Sequence, residues 1–248
     1  VSELETRMIA KQDVFVISDI HGHYDELRKL LEYHKNGLIL FLGDYIDRGK
    51  QSKEVLDYVM ELVGQGKAMA IKGNHEELFL DFLTHPLLGK AYMLGTGSKT
   101  IQSLLSITPD EYTDAVLVAE KIKEEYSEQI EFIRNLPVYI TMEEYVFVHA
   151  GINPHLPHWN DSSEADMLWI REEFFQVPNN TGKKIIFGHT PTFKIRGNQD
   201  SSIWQSTDGL IGIDGGVGFE KQLNGLYISK SEEKRVYYVE ANRTIQQK

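Results

Sequence analysis

Seven side chains with metal-binding atoms lie in short, glycine-containing motifs along the sequence. They are Asp19 and His21 in Ser18-Asp-Ile-His-Gly22, Asp44 in Gly43-Asp-Tyr-Ile-Asp-Arg-Gly49, Asn74 and His75 in Gly73-Asn-His-Glu76, His149 in His149-Ala-Gly151 and His189 in Gly188-His-Thr190. The set offers oxygen and imidazole nitrogen without sulfur, which suits Mn, Fe or Zn better than Ca or Mg. One ion does not need so many ligands. Two ions roughly 3.5–4 Å apart, sharing a carboxylate, would use them all, and would lower the pKa of a water held between them until it is a nucleophile near neutral pH.

Two arginines could supply the other half of a reaction at phosphorus. Arg48 follows Asp44 by about one turn, and Arg171 lies in Leu168-Trp-Ile-Arg-Glu-Glu-Phe174. A guanidinium stays charged at any working pH, and its planar fork matches phosphate oxygens. Clamping those oxygens while metals hold the rest is what phosphoryl transfer requires.

Each motif alone is a weak signal. An Asp-x-His after a strand is more often a turn with a satisfied histidine, and Arg171 alone reads as a helix-face ion pair. The joint pattern argues otherwise. Four of the nine histidines, His21, His75, His149 and His189, follow predicted strands and lie within two residues of a glycine. The other five (His23, His34, His85, His155 and His158) read as structural or solvent-facing. Trp169, Phe174 and Phe175 read as core or pocket wall, and the charges at Glu124-Glu125 and from Glu232 to Arg235 as solvated surface.

The elements that must position these residues follow from apolar patterning. Asp13–Ser18, Gly37–Leu42 and Ala68–Ile71 read as buried strands, separated by helical patterns over Tyr24–Tyr33 and Ser52–Val63. That rhythm predicts βαβαβ and a largely parallel sheet, with ligands beyond the carboxyl ends of the strands. From Glu76 to about Leu136 helical patterning dominates, interrupted at Pro109. The expectation is a single domain over 1–248 with residues 77–136 as a helical cap insertion. Further strands are predicted at Val138–Thr141, Tyr145–Val148, Lys184–Phe187, Leu210–Ile213, Leu226–Ser229 and Arg235–Val239, with a short helix near Met167–Phe175.

Composition sets the outer bounds. The chain has 248 residues, 41% hydrophobic and 25% charged, with no cysteine, so disulfides, thiolate ligands and a cysteine nucleophile are excluded. No apolar run approaches the roughly 18 residues of a membrane helix, and Val1–Asp13 has no signal-peptide core. A cytoplasmic protein with no membrane partner is the expectation. The formal net charge of −11 weighs against long nucleic acid as partner, but a local cation cluster can still bind a small phosphorylated substrate.

The motif series resembles the PPP family of metallophosphatases, which includes Ser/Thr protein phosphatases and symmetrical diadenosine tetraphosphate hydrolases. The resemblance runs from about Asp13 to Ser229, and the pairing of Gly-Asp-x-x-Asp-Arg-Gly with Gly-Asn-His-Glu is its most specific part. It implies a calcineurin-like α/β fold, a two-sheet β-sandwich flanked by helices with the site at one edge. It implies one metal on Asp19, His21 and a bridging Asp44, and the other on Asp44, Asn74, His149 and His189. His75 would be the general acid, oriented and charged by Asp47, with Arg48 and Arg171 as phosphate clamps. Ser18 and Ala150 stand where the family usually has glycine; neither removes a ligand.

Three functions follow as expectations. The first is a manganese-dependent phosphomonoesterase acting on phosphoserine or phosphothreonine in proteins. The second is a symmetrical bis(5'-nucleosyl)-tetraphosphate hydrolase producing ADP, suggested by Ile213-Asp-Gly-Gly-Val-Gly-Phe219, with a base held by Tyr92, Trp159 or Trp169. The third is a binding protein that has lost catalysis, disfavoured because no ligand is substituted. The substrate is thus a phosphoprotein or a small phosphorylated or nucleotide molecule.

Overall fold

The computed structural model describes residues 7–107 and 114–241; Pro109, the expected break in the helical run, lies outside them. Val14-Phe-Val-Ile17 is buried along its whole length because its two faces meet two different layers. Val14 and Val16 point into the space between two sheets, while Phe15 and Ile17 point toward helices, as the period of two along a strand requires. Burial on both faces is why the run is continuously apolar.

In chain order the first part forms β1 (Arg7–Met8), β2 (Val14–Ile17), α1 (Tyr24–Leu31), β3 (Leu38–Phe41), α2 (Ser52–Gly64) and β4 (Ala68–Ala70). A helical stretch follows: α3 (Asn74–Thr84), α4 (Lys90–Leu94), α5 (Ser98–Leu105), α6 (Ala115–Glu125) and α7 (Ser127–Arg134). The remainder is β5 (Tyr139–Met142), β6 (Tyr145–Val148), α8 (Glu164–Trp169), α9 (Glu172–Phe175), β7 (Lys184–Phe187), α10 (Thr192–Arg196), β8 (Trp204–Gln205), β9 (Leu210–Gly212), β10 (Gln222–Ile228) and β11 (Lys234–Glu240).

The strands build a five-stranded sheet, β11-β10-β2-β3-β4, and a six-stranded sheet, β1-β5-β6-β7-β9-β8. The expected βαβαβ unit is β2-α1-β3-α2-β4, and its strands are parallel. Outside that unit the expectation of a largely parallel sheet is corrected. β10 runs antiparallel to β2 and β11 to β10, β5 and β6 form an antiparallel hairpin, and both sheets are mixed. A parallel-strand signal and a hairpin-strand signal look alike in sequence when both faces are buried.

Four layers result. Leu40, Phe147, Ile186 and Leu226 pack between the sheets. Phe41, Val59, Phe79, Ile101 and Ile133 fill the space between the five-stranded sheet and α1–α7. Phe174, Met167 and Phe187 fill the layer between the six-stranded sheet and α8–α9. The fold is a two-sheet α/β sandwich flanked by helices.

Two smaller expectations also change. The helix near Met167–Phe175 is two helices, because Ile170 turns extended (ψ 145°) and Arg171 follows at φ −132°, ψ −111°. Glu232 is not a freely solvated charge: it pairs with Lys11 at 3.1 Å and Lys184 at 2.9 Å, tying the β10–β11 turn to the other sheet.

Candidate metal centre

Five strand ends deliver the seven residues to one edge of the sandwich. β2 leads to Asp19 and His21, β3 to Asp44 and β4 to Asn74 and His75, all from the five-stranded sheet; β6 leads to His149 and β7 to His189. The sheets are stitched here by Asp19, whose carboxylate accepts the backbone N–H of His189 at 2.9 Å and the hydroxyl of Ser18. Gly188 permits the approach, since a Cβ there would overlap Ser18 Oγ and Asp19 Oδ2.

The backbone at these strand ends is strained. Among the described residues, ten that are not glycine have positive φ, and six are Asp19, His21, Asp44, Asp47, Arg48 and His189. Left-handed φ costs a non-glycine residue about 1–3 kcal/mol, and such positions concentrate where side chains must be aimed at a ligand.

Each clustered histidine is fixed through one ring nitrogen. His21 Nδ1–H donates to the Ile46 carbonyl at 2.9 Å, His149 Nδ1–H to that of Leu42 at 2.7 Å, and His189 Nε2–H to that of Trp169 at 3.3 Å. The other nitrogen of each ring is left with a lone pair, the arrangement found at metal-ligating histidines. His75 differs: its Nδ1–H donates to a carboxylate, Asp47 Oδ2, at 2.6 Å.

The second ring nitrogens of His21 and His149 converge on Asp44. His21 Nε2 is 3.5 Å from Asp44 Oδ2, and His149 Nε2 is 3.5 Å from Oδ1. His149 Nε2 also lies 2.9 Å from Asn74 Oδ1. Three atoms bearing lone pairs that converge in this way fit a cation between them. Two groups of potential ligands result, His21–Asp44–His75 and Asp44–His149–His189, with the ligand atoms of each group within 4.8 Å of one another and Asp44 in both.

Charge separates the roles within the first group. Burial holds the His21 imidazolium well below its ordinary range and that of His189 down to about 2, so both rings are neutral donors. Burial also works against a charged His75, but Asp44's charge and the hydrogen bond and charge of Asp47 outweigh it and raise it to about 9. A protonated ring gives up a proton rather than a lone pair. Asp44 itself is buried, yet the surrounding histidines hold its carboxyl below the usual range, while burial raises that of Asp19 to about 6.

Around the cluster Glu76, Thr100 and Asp214 carry no separate role in the sequence reading. Glu76, fully buried at the start of α3, accepts the backbone N–H groups of Asp44 (2.8 Å), Tyr45 (2.8 Å) and Gly73 (2.9 Å). It locks the Gly-Asp loop to the Gly-Asn-His turn; its place in Gly-Asn-His-Glu was the available signal. Tyr92 and Thr100, from α4 and α5, donate to Asp47 Oδ1 at 2.9 and 2.5 Å. Tyr92 is therefore buried and engaged, which corrects its proposed use as a base platform. Trp159 packs edge-on against Tyr139, whereas Trp169 is 40% exposed, its ring 6.3 Å from that of His189. Asp214, at the end of β9, is buried beside Asp19 and Asp44, and its carboxyl is pushed well up by that burial.

The two arginines flank the cluster. Arg48 is exposed, with Nη2 3.5 Å from His75 Nε2. Arg171 is no helix-face ion pair: Nη1 donates to the His189 carbonyl at 3.0 Å and to Thr190 Oγ1 at 3.2 Å.

Residues 13–217 match the calcineurin-like phosphoesterase family. The chain belongs to that family. As a calcineurin-like phosphoesterase it is a metal-dependent hydrolase of a dinuclear class, and its paired ligand groups suit that class. It is similar to a bis(5'-nucleosyl)-tetraphosphatase of the asymmetrical kind from Anoxybacillus flavithermus, 29% identical over 245 residues, covering 88% of this chain and 91% of that one. It is also similar to a symmetrical bis(5'-nucleosyl)-tetraphosphatase from Actinobacillus pleuropneumoniae, 30% identical over 152 residues, covering 59% of this chain and 46% of that one. The phosphoesterase fold is shared with a crystal structure of a candidate diadenosine tetraphosphatase, at a TM-score of 0.65, 16% identity and coverage of 95% and 98%. Among the described residues no helix is long and apolar enough to cross a membrane.

Proposed function

We propose that this phosphoesterase hydrolyses a phosphoanhydride of a dinucleoside tetraphosphate, cutting asymmetrically to a nucleoside monophosphate and a triphosphate. The observation that carries this reading is the nearly end-to-end match with a bis(5'-nucleosyl)-tetraphosphatase of the asymmetrical kind; the symmetrical relative matches over a shorter stretch.

In this reading Asp19, His21 and Asp44 hold one metal ion, and Asp44, Asn74, His149 and His189 hold the other. Manganese suits the oxygen and imidazole donor set, with iron or zinc as substitutes. Ions held by these residues would supply a nucleophilic water and neutralise charge on the phosphate. Arg48 and Arg171 clamp non-bridging oxygens from two sides. His75, kept charged by Asp47, delivers a proton from Nε2 to the leaving oxygen. Residues 77–136 act as a cap within one domain, a reading supported by the core that α3–α7 share with α1, α2 and the five-stranded sheet.

A second reading is hydrolysis of phosphoserine or phosphothreonine in proteins, favoured by the exposure of Arg48 at the rim, where a bulky substrate can reach it. Product analysis separates the two. The manganese-loaded protein is given diadenosine tetraphosphate beside a phosphoserine peptide. AMP with ATP is the expected result; ADP alone transfers the assignment to symmetrical cleavage. Inorganic phosphate from the peptide, with the dinucleotide untouched, replaces the first reading by the second.

A further inference from the structure

Beside the metal cluster Arg48 belongs to a group of cations whose other members, Lys194 and Lys221, no step above uses. The turn Val217–Phe219 rests directly on the site: a Cβ at Gly218 would come within 2.5 Å of Arg48 Cδ and 3.1 Å of His21 Cδ2. Its last residue, Phe219, is 39% exposed although it is a large apolar side chain. The Arg48 guanidinium lies 4.7 Å from the centre of its ring and the Lys194 ammonium 4.5 Å from it. Phe193 meets Phe219 edge-on with centroids 6.0 Å apart, and Lys221 lies 5.6 Å from the centre of the Phe193 ring.

Among the described residues, none of Arg48, Lys194 and Lys221 forms an ion pair with a carboxylate. In a chain with a formal net charge of −11, acidic partners are abundant. Cations gathered on one aromatic pair and left unneutralised repel each other, and an aromatic face offsets only part of that cost. They focus a positive field at the rim of the metal cleft. The complementary ligand is an anion longer than one phosphate.

We propose that Arg48, Phe219 and Lys194 form a polyphosphate subsite. The phosphate under attack lies at the metals within reach of Arg48. The next phosphates of the chain run over the Val217–Phe219 turn to Lys194, which Phe219 holds in place. This rests on the anhydride reading above and deepens it: Lys194 is the residue that distinguishes a polyphosphate from a phosphomonoester.

Lys194→Ala tests it, because Lys194 is exposed and outside the catalytic machinery. The probes are inorganic phosphate and inorganic tripolyphosphate. Both are used as inhibitors of p-nitrophenyl phosphate hydrolysis with manganese in excess, and tripolyphosphate is also titrated calorimetrically into the metal-free protein. The expected result is a roughly tenfold loss of tripolyphosphate affinity, the size of one charged hydrogen bond. Phosphate inhibition and p-nitrophenyl phosphate turnover should stay unchanged, and Lys194→Arg should recover most of the loss. Equal tripolyphosphate binding by wild type and Lys194→Ala overturns the subsite, as does a parallel loss for phosphate and tripolyphosphate. If diadenosine tetraphosphate proves not to be a substrate while the selective loss is seen, the dinucleotide reading falls and the subsite stands. If Lys194→Ala cleaves the dinucleotide at full efficiency, the subsite falls and the reading stands.

Discussion

The phenol of Tyr92 donates a hydrogen bond to Asp47 Oδ1 at 2.9 Å, and the other oxygen of that carboxylate accepts from His75 at 2.6 Å. A residue of the helical stretch thus reaches the ring proposed to protonate the leaving group. Tyr92→Phe removes the donor and keeps the ring. Its expected cost is roughly 1 kcal/mol of stability and a severalfold fall in kcat, with KM little changed. Steady-state kinetics check it; a rise in KM at constant kcat would mean that Tyr92 acts on binding instead.

Asp47 should also set the alkaline limb of the pH profile. Its hydrogen bond and charge help to raise His75 to about 9. Asp47→Asn removes the charge, so the folded-state pKa of His75 falls and the ring loses its proton at lower pH. The alkaline limb of kcat/KM should move toward acid while the fold persists. An unmoved limb assigns that titration to another group.

Asp44 is common to both groups of potential ligands, whereas His189 belongs to one. Asp44→Asn should therefore strip most of the metal from the purified protein, and His189→Asn about half, as read by elemental analysis. Chelation of the wild type should lower its melting temperature, because ions bound only to the folded state stabilise it. Equal metal content in both variants would contradict a shared Asp44.

Glu76 satisfies three backbone N–H groups in a place closed to water. Glu76→Ala leaves all three unpaired, and at about 1–3 kcal/mol for each buried unsatisfied group the variant should be among the least stable single substitutions. Urea denaturation gives the size. A loss below about 1 kcal/mol would mean that water replaces the carboxylate.

Acid stability should depend on the surface cluster around Glu232. Hydrogen bonds from Lys184 and Lys11 hold its carboxyl down at about 2, against an ordinary 4.5. A carboxyl depressed on folding contributes stability that is present above its unfolded pKa and is lost as pH falls through the folded one. The window is therefore about pH 4.5 to 2. Glu232→Gln should flatten the fall in stability across that window, measured as melting temperature against pH at low salt; an unchanged slope assigns the acid sensitivity to other carboxyls.

The sequence by itself determined which candidate site residues are present and their order along the chain. Asp19, His21, Asp44, Asn74, His75, His149 and His189 are recognisable because a strand ending at a glycine turn leaves a local signature, and five such endings repeat. β2, β3, β4, β6 and β7 were legible for the same reason: strands buried on both faces are short apolar runs bounded by turn residues.

Only the tertiary structure decided the rest, because it depends on contacts between segments far apart in the chain. The antiparallel placing of β10 beside β2 is set by pairing across more than two hundred residues, which no local pattern encodes. Tyr92 looked free for a nucleobase until α4 turned it onto Asp47. Arg171 was legible as a candidate phosphate clamp, but only the break after Ile170 shows its guanidinium donating to the His189 carbonyl. Lys194 and Phe219 are ordinary residues in sequence, and they acquire a meaning only where the Val217–Phe219 turn lays them beside Arg48. Residue types fix which chemistry is available, and the packing of distant loops fixes which side chains share one field and one ligand.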